Sequence, residues 1–395
     1  MTAALPVRAN GARDARCIVY VASTSIYLAR ARLALLRRMV AEGWRVIGVA
    51  PEDAYTGRLL DVGVEWRPLP IAREIARPIR HLRLLGALTQ LYRATRPTLV
   101  HHFTSNPIIY GSVAARLAGV PAVVNAFPGL GTVFESARWD APILRTWLRA
   151  AYRVVTRLPN SRTIFQSGDD RDAFVHSGVV PGSTAVLIRG SGVDVDAFRP
   201  HPEPEGIPTV LFCGRMLQPK GVSDLVTAAR LLRDWQVSCR IRLVGRCDAE
   251  HKGAVPLEQL RQWAAEGLVQ WDGQRDDMPA VVAAAHIVCL PSYGEGVPRS
   301  LVEGAACGRP LVASDVPGCR EIVVHERNGL LVPPRDPQRL AQALARLIRN
   351  PDERHAFGRA GREIAVSQFA EGSVIAATLE VYRTLATRNT LRYPQ

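Results

Sequence analysis

The sequence predicts an α/β protein with two doubly wound parallel-sheet domains that face a central cleft. Short runs of Val, Ile and Leu alternate with longer helical patterns, which is typical of parallel sheets covered by helices on both faces. One stretch, 194–208, is rich in Pro, Glu and Gly and interrupts that alternation. The length of 395 residues suits two or three domains of about 150 residues each.

The first series of elements starts at Cys17, after a leader without periodic pattern. Gly43 marks the end of the first helix, since glycine is favoured just past a helix, and Pro97 marks the end of the second. The predicted strands are 17–22, 45–50, 98–103 and 122–127, and the predicted helices are 27–42, 79–95 and 109–119.

A second series of strands and helices follows the interruption. Its predicted strands are 209–213, 240–244, 269–271, 287–290, 310–313 and 330–332, and its helices are 222–234, 256–266, 278–285, 298–307 and 337–349, with a helical tail from 351. The chain is thereby divided into a flexible leader at 1–16, an N-terminal α/β domain at 17–193, a linker at 194–208, a C-terminal α/β domain at 209–370 and a C-terminal helix at 371–395, which could pack back on the N-terminal domain.

The charge of the chain is uneven along its length. The net charge is +14; residues 1–190 hold 25 Arg and no Lys against 12 acidic residues, and the rest holds 25 basic against 24 acidic residues. A basic half attracts anions such as phosphorylated substrates, anionic lipid headgroups or nucleic acid. With 47% apolar and 22% charged residues, the composition does not fit a disordered chain.

The seven cysteines are odd in number, and none pair at CxxC spacing. Because several lie in apolar strand-like runs, we expect buried thiols in a reducing compartment rather than disulfides or a metal site. The first residues include arginines without an apolar core segment, so no signal peptide is predicted. No apolar run reaches about 18 residues, so no membrane span is predicted.

The strongest local pattern lies at 291–303, Pro-Ser-Tyr-Gly-Glu-Gly-Val-Pro-Arg-Ser-Leu-Val-Glu. Glu295 falls in a Gly-flanked loop after a strand, and Glu303 falls about one and a half turns into the next helix. Such a helix N-terminus binds phosphate, and Gly296 lets the backbone approach a ligand. Two surface acids at chance spacing are the alternative, but the order of strand, loop and helix favours a nucleotide site.

Together with 304–318, this segment resembles the donor-site signature of the retaining family-4 glycosyltransferases, which have the GT-B fold of two Rossmann-like domains. The resemblance covers residues 17–382 and is strongest over 209–335. It implies that Glu295 contacts the donor sugar and Glu303 the ribose. It also implies that the backbone of Gly296 and Val297 contacts the donor phosphates.

Gly214, Arg215 and Lys220 follow the first strand of the second series. Two cations in such a loop can bracket a pyrophosphate and stabilise a departing diphosphate. An exposed surface pair is the alternative, but it has less weight for Lys220, which is one of two lysines in the chain. The resembling family has an Arg and a Lys at this spacing, which implies that the two clamp the diphosphate.

Two further positions are candidates for the donor site. Gly245 ends a strand where a glycine would let the ligand approach. In the family the loop 269–278 flanks the nucleotide base, so Arg275 is the candidate there, with a plain surface loop as an equal alternative.

No carboxylate or His cluster has metal-ligand spacing, so we expect no metal and no cofactor beyond the nucleotide-sugar donor.

His102 ends a strand of the first series, where it should face the cleft. The stretches 100–105, 110–119 and 125–134 resemble the bacterial subgroup that extends polyprenyl-diphosphate-linked sugars. Many family members have a His after the strand that here ends at Phe127, and this chain has Pro-Gly instead. His102 is therefore a substitute candidate for catalysis, with a core or cap histidine as an equal alternative. A second difference from the family is His286, at a position where family members usually have an acidic residue.

Arginines recur at helical spacing in two places of the first half. A helix face rich in Arg with aromatic residues at its edge suits an anionic membrane surface or a lipid diphosphate, and a solvated face is the alternative. No nucleic-acid fold signature is present, so we expect no nucleic-acid partner. The two sets are Arg73, Arg77, Arg80 and Arg83, and Arg145, Arg149, Arg153 and Arg157, the second beside Trp147.

These patterns predict a metal-independent hexosyl- or N-acetylhexosaminyltransferase. The expected donor is a UDP-sugar, and the expected acceptor is a membrane-anchored polyprenyl-diphosphate saccharide of surface polysaccharide or glycan assembly. We expect the protein at the inner face of the cytoplasmic membrane, held peripherally by its Arg-rich half. The alternatives are an epimerase or hydrolase of the same fold, a transferase with a soluble acceptor, and a non-catalytic nucleotide-sugar-binding or scaffold protein.

Overall fold

The computed structural model describes residues 16–71, 78–129, 141–248 and 251–387. Within them the chain forms two fully parallel sheets, one of seven strands and one of six. The predicted α/β architecture with two doubly wound sheets is confirmed. Most of the leader, Arg73 and Arg77, and residues 130–140 lie outside the described residues.

The first sheet has the strand order β3-β2-β1-β4-β5-β6-β7. Side chains alternate across it, so that Ile18 and Tyr20 enter one apolar core and Val19 and Val21 enter another, on the opposite face. Its strands are β1 (Cys17–Val21), β2 (Arg45–Ala50), β3 (Glu65–Pro68), β4 (Leu99–Phe103), β5 (Ala122–Phe127), β6 (Ser161–Phe165) and β7 (Ala185–Leu187).

The second sheet repeats the pattern with the order β10-β9-β8-β11-β12-β13. In both sheets the strand order reverses beside the first strand of the series, and parallel sheets bind ligands at the carboxyl ends of the strands at that point. The strands are β8 (Thr209–Cys213), β9 (Arg240–Val244), β10 (Gln270–Trp271), β11 (Ile287–Leu290), β12 (Leu311–Ser314) and β13 (Gly329–Val332).

Helices connect the strands of both sheets. In the first half they are α1 (Ser25–Ala31), α2 (Leu33–Ala41), α3 (Thr56–Leu60), α4 (Pro78–Thr95), α5 (Ser112–Ala118), α6 (Ala141–Val155) and α7 (Gly168–His176). In the second half they are α8 (Val222–Asp234), α9 (Leu257–Ala265), α10 (Met278–Ala283), α11 (Arg299–Ala306), α12 (Pro317–Arg320), α13 (Pro337–Arg349), α14 (Pro351–Phe369) and α15 (Glu371–Thr387).

Two predicted helices are interrupted. The one predicted at 27–42 breaks at Arg32, which is 6% exposed and whose guanidinium binds the Tyr27 hydroxyl and lies over the Phe103 ring. These tertiary contacts hold the residue in a non-helical conformation between α1 and α2. The helix predicted at 109–119 begins with a π-helical turn, Pro107–Gly111, before α5.

The chain crosses between the two sheets twice, and the crossings lie side by side. The Val193 N–H donates to the Phe369 carbonyl at 2.8 Å, and the Glu371 N–H donates to the Val193 carbonyl at 2.9 Å. Beyond this point α15 packs on the first sheet, against α2, β5 and β6. The C-terminal helix therefore ties the end of the chain to the first half.

Candidate active site

A cleft of about 710 Å³ lies where the carboxyl ends of the two sheets meet, and residues of both halves line it. Ligand sites for small molecules are typically about 300–1,000 Å³. Among the described residues, seven basic and three acidic side chains line this cleft. Its size and its positive charge suit an anionic ligand such as a nucleotide sugar.

The cleft contains a carboxylate–ammonium pair formed by two of the predicted residues. Glu295 lies in the loop after β11, and its Oε1 accepts hydrogen bonds from Lys220 Nζ at 2.5 Å and Ser292 Oγ at 2.6 Å. The Glu295 side chain is 9% exposed and the Lys220 side chain 25%. The loop after β8, which carries Lys220, thus lies directly beside the loop that carries Glu295.

The Glu295 loop is held by backbone packing on two sides. A Cβ atom on Gly318 would lie 1.4 Å from the Gly296 carbonyl oxygen, so α12 touches the loop without a side chain between them. A Cβ atom on Gly296 itself would lie 1.9 Å from the carbonyl oxygen of Pro128, which follows β5 of the first sheet. Gly296 is therefore at the contact between the halves, and its neighbour Val297 lines the cleft.

Glu303 lines the cleft from the fifth position of α11. It is 8% exposed, and its Oε1 accepts hydrogen bonds from Arg299 Nε at 3.3 Å and Nη2 at 3.2 Å. Burial raises the pKa of the Glu303 carboxyl above its usual value, and the charges of Arg299 and Arg30 oppose that rise. Glu303, which was predicted to contact the ribose, thus lies in the cleft. It is paired with Arg299, an arginine that the sequence patterns did not single out.

The other predicted donor-site residues also line the cleft. Arg215 Nη1 lies 3.4 Å from Asp248 Oδ2, with the Arg215 side chain 40% exposed, so the guanidinium is available to a ligand. Arg275 pairs with Asp277 inside its own loop, Nη2 to Oδ2 at 2.5 Å. Gly214 and Gly245 lie beside them at the ends of β8 and β9.

His102 does not reach the cleft. It is 0% exposed; its Nδ1 lies 3.0 Å from Asn125 Oδ1 and its Nε2 lies 2.9 Å from the Tyr92 hydroxyl. Burial lowers its pKa to about 4. The reason is strand alternation: His101 and His102 point to opposite faces of β4, and helices cover both faces. The structure therefore favours the core-histidine alternative over a catalytic His102.

His286 has a structural explanation. Its Nδ1 accepts the Thr209 N–H at 3.0 Å, so its Nε2 carries the proton and donates to the Pro204 carbonyl at 2.9 Å. The side chain thereby joins the first residue of β8 to the segment that precedes it.

The first half contributes residues to the cleft that the sequence analysis missed. Arg30 of α1 and Arg58 of α3 lie 3.1 and 3.3 Å from the two carboxylate oxygens of Asp276, and Gln274 donates to the Tyr55 hydroxyl at 2.6 Å. These contacts join the loop after β10 to the first half. The one feature of the sequence that could have indicated Arg30 is its position, because α1 begins shortly after the carboxyl end of β1, at the edge of the sheet where ligands bind.

Within the described part of the chain, no three His, Cys, Asp or Glu side chains come together as a possible metal site. The metal-independent reaction stays a prediction.

Two family models match the chain, one on each half. Residues 18–164 match the model described as glycosyl transferase 4-like, and residues 207–350 match that of the glycosyl transferases group 1.

Curated relatives extend these matches over most of the chain. An N,N'-diacetylbacillosaminyl-diphospho-undecaprenol alpha-1,3-N-acetylgalactosaminyltransferase of Campylobacter jejuni is 24% identical over 374 residues, covering 91% of this chain and 96% of the relative. A GDP-mannose-dependent alpha-(1-6)-phosphatidylinositol monomannoside mannosyltransferase of Mycobacterium tuberculosis is 30% identical over 303 residues, covering 70% of this chain and 73% of the relative.

Among solved structures, Anabaena Alr3699/HepE in complex with UDP-glucose superposes with a TM-score of 0.73 at 20% identity, covering 94% of this chain and 99% of that chain. Together with the two sheets and the cleft between them, this likeness confirms the GT-B fold expected from the sequence.

Proposed function

The chain belongs to the group 1, family-4 glycosyl transferases, retaining enzymes that use nucleotide-sugar donors, and on that premise we propose that it transfers a sugar from a UDP-sugar to a membrane-anchored polyprenyl-diphosphate saccharide. Such a reaction belongs to the assembly of a surface polysaccharide or glycan. The donor occupies the second half of the cleft, and the acceptor approaches from the first half.

The observation that carries the donor side is the meeting of Lys220, Ser292 and Glu295 in the cleft. Lys220 and Arg215 neutralise the charge that develops on the departing nucleoside diphosphate, because fixed cations stabilise such charge in a partly dry site. Glu295 orients the donor sugar, and Glu303 accepts hydrogen bonds from the ribose hydroxyls. The backbone of Gly296 and Val297 contacts the phosphates just before α11.

The acceptor side rests on a surface of the first half. On α6, Trp147 and Val154 are 44% and 65% exposed and lie seven residues apart, on one face of the helix. Arg149 of the same helix is also exposed, two residues after Trp147. On α4, Ile79 and Leu82 are both 67% exposed. Exposed apolar side chains interleaved with arginines suit the interface of an anionic membrane.

Two neighbouring arginines serve a different purpose. Arg153 Nη2 donates to the Ser177 carbonyl at 3.1 Å, and Arg157 Nη2 donates to the Gly178 carbonyl at 2.8 Å. Both therefore bind carbonyls past the C-terminal end of α7. From this predicted arginine set we assign the exposed Arg149 to the membrane. Among the helices of the described residues, none has the length and apolar character that a membrane crossing requires. Peripheral binding at the inner face of the cytoplasmic membrane is the location that we propose.

The relatives' names support a lipid-linked acceptor. One names an undecaprenol-linked diphosphate acceptor and the other a phosphatidylinositol mannoside, and both thus describe sugars on lipid anchors. The second also names GDP-mannose, so both UDP- and GDP-sugars belong in a test.

Incubation of the protein with a panel of UDP- and GDP-sugars and either a polyprenyl-diphosphate saccharide or a soluble sugar acceptor tests the proposal. Mass spectrometry should show one sugar added to the lipid-diphosphate acceptor, with a UDP-sugar as donor. Transfer to the soluble acceptor alone, or an isomerised or hydrolysed donor without transfer, would replace the proposed reaction by one of its alternatives.

Membrane binding is tested separately with vesicles of anionic and of neutral lipid. Trp147→Ser with Val154→Ser should reduce sedimentation with anionic vesicles. Trp235→Ser removes a tryptophan of comparable exposure, 37%, from the second half and should leave sedimentation unchanged. Equal loss in both variants would contradict the proposed surface.

A further inference from the structure

Arg299 connects the buried carboxylate of the cleft to both halves of the molecule. Its Nε and Nη2 donate to Glu303 Oε1, and its Nη1 donates to the main-chain carbonyl of Arg30, in α1 of the first half. All three residues line the cleft. One planar guanidinium is thus fixed by three contacts, which an ammonium group could not reproduce.

The position of Arg299 in its helix is electrostatically unfavourable. It is the first residue of α11, and the N-terminal end of a helix carries a partial positive charge. A cation at that end of a helix is destabilising unless other contacts offset the repulsion. The contacts of Arg299 to Glu303 and to the Arg30 carbonyl must offset this repulsion. We therefore look to these two contacts, rather than to the stability of the helix, for the role of Arg299.

Glu303 needs a partner of this kind. Its side chain is 11% exposed, and a buried carboxylate is stable as an anion only when it is paired or hydrogen-bonded. The charged groups that face it are Arg299 from its own helix and Arg30 from α1. The thiols of Cys213 and Cys307 also pack near it, and burial raises the pKa of both, so they stay neutral.

Both Arg299 bonds to the carboxylate end on the same oxygen, Oε1. Within the described part of the chain, Oε2 is therefore the oxygen left for a ligand. A carboxylate oxygen that is held in place and unprotonated accepts hydrogen bonds from ligand hydroxyls without a reorganisation cost.

We propose that Arg299 is a positioning residue for the nucleotide: it holds Glu303 as an oriented anion whose second oxygen accepts the ribose hydroxyls. This inference rests on the proposed function, since it assumes a nucleoside diphosphate in the cleft. The inference adds Arg299 to the donor site. Arg299 acts by orienting Glu303 and not by binding the phosphates itself.

An ordinary surface Arg–Glu pair at the same helical spacing is the alternative, and such exposed pairs contribute little to stability. The chain contains a matched control for it. Arg38 of α2 and Glu42, the residue directly after this helix, have the same order and spacing, Nε to Oε1 at 2.7 Å, and the Arg38 side chain is 59% exposed.

The test is calorimetric binding of uridine diphosphate and of its 2′,3′-dideoxy form to the wild type, Arg299→Met, Arg299→Lys and Arg38→Met. Arg299→Met should weaken uridine diphosphate about tenfold or more, because a charge-assisted hydrogen-bond network to the ribose is lost. It should leave the weaker binding of the dideoxy form nearly unchanged. Arg299→Lys should recover part of the affinity, and Arg38→Met should change neither ligand.

The pH dependence gives a readout that a structural role would not move. Without Arg299 the pKa of Glu303 rises further, so affinity for uridine diphosphate should begin to fall at a higher pH than in the wild type. Equal weakening of both ligands by Arg299→Met, or no weakening of either, would overturn the inference. A wild type that binds no nucleoside diphosphate would instead overturn the proposed function, and the inference would fall with it.

Discussion

The two sheets place their polar residues differently at the edge that faces the cleft. In the second half, Glu295 and Lys220 leave the strand ends on glycine-containing loops and meet in the cleft. In the first half, His101, His102 and Asn125 lie within strands and are at most 2% exposed, under the helices. Residues on loops past the strand end can reach a ligand, whereas those inside a buried strand serve the core.

The largest effect should come from Glu295→Gln. This change removes the charge beside the donor sugar and leaves Lys220 without its partner, and we expect a loss of about 10³-fold in transfer rate. Glu266→Gln removes a carboxylate that pairs with Arg230 on the surface and should leave the rate unchanged. The measurement is the sugar-transfer rate of each purified variant, compared with that of the wild type. A wild-type transfer rate in Glu295→Gln would contradict the claim that the loop residues of the second half act on the donor.

Lys220→Met should come next, at about 10²-fold, because one fixed cation is lost from the departing diphosphate. The control is Lys252→Met, since Lys252 is the only other lysine of the chain. Steady-state kinetics with the best donor of the panel measures the effect. Similar losses in both variants would show a general charge effect rather than a specific clamp.

Gly318→Ala tests whether backbone packing positions the Glu295 loop. The added methyl group would overlap the Gly296 carbonyl, so the loop must shift, and we expect kcat/KM to fall at least about tenfold. Gly267→Ala places a methyl group in open space at a φ of +69° and should change stability only. Unchanged kinetics of Gly318→Ala would mean that the loop position is not limiting.

His102→Gln should have the smallest effect on transfer and a clear one on stability. Leaving Tyr92 or Asn125 without its partner in the core should cost about 1–3 kcal/mol in the free energy of unfolding. His201→Gln, at an exposed position, should cost little. Denaturant unfolding and the transfer rate of the folded variant are measured together, and a selective loss of rate at full stability would restore a catalytic His102.

The same histidine predicts a pH dependence of stability. Its folded pKa of about 4 lies below the usual value of about 6.5, so the unfolded chain binds the proton more tightly. The stabilisation is fully present above about pH 6.5 and is lost as the pH falls towards 4. His101 has a pKa shifted in the same direction, so His102→Gln should reduce this loss without abolishing it.

The donor side could be predicted because its signal is local. Glu295, Gly296 and Glu303 lie within one loop and helix, and the pattern of β11 and α11 around them is plain in the sequence. The strands β2, β5, β8 and β11 and the helices α8 and α13 have the predicted bounds.

The remaining features depend on contacts between distant residues. Strand β6 contains a buried arginine, Arg162, and β7 is three residues long, so neither shows an apolar run. The break at Arg32 depends on Tyr27 and Phe103. Likewise, Arg30 and Arg299 meet across the cleft from 269 positions apart, which no local pattern encodes.

Hydrogen exchange with saturating uridine diphosphate tests most directly whether the second half holds the donor. We predict slowed amide exchange in 214–221 and 291–303 and little change in the strands β4 and β5. Protection confined to β4, β5 and the residues that follow them, with none in 291–303, would contradict the assignment of the donor to the second half.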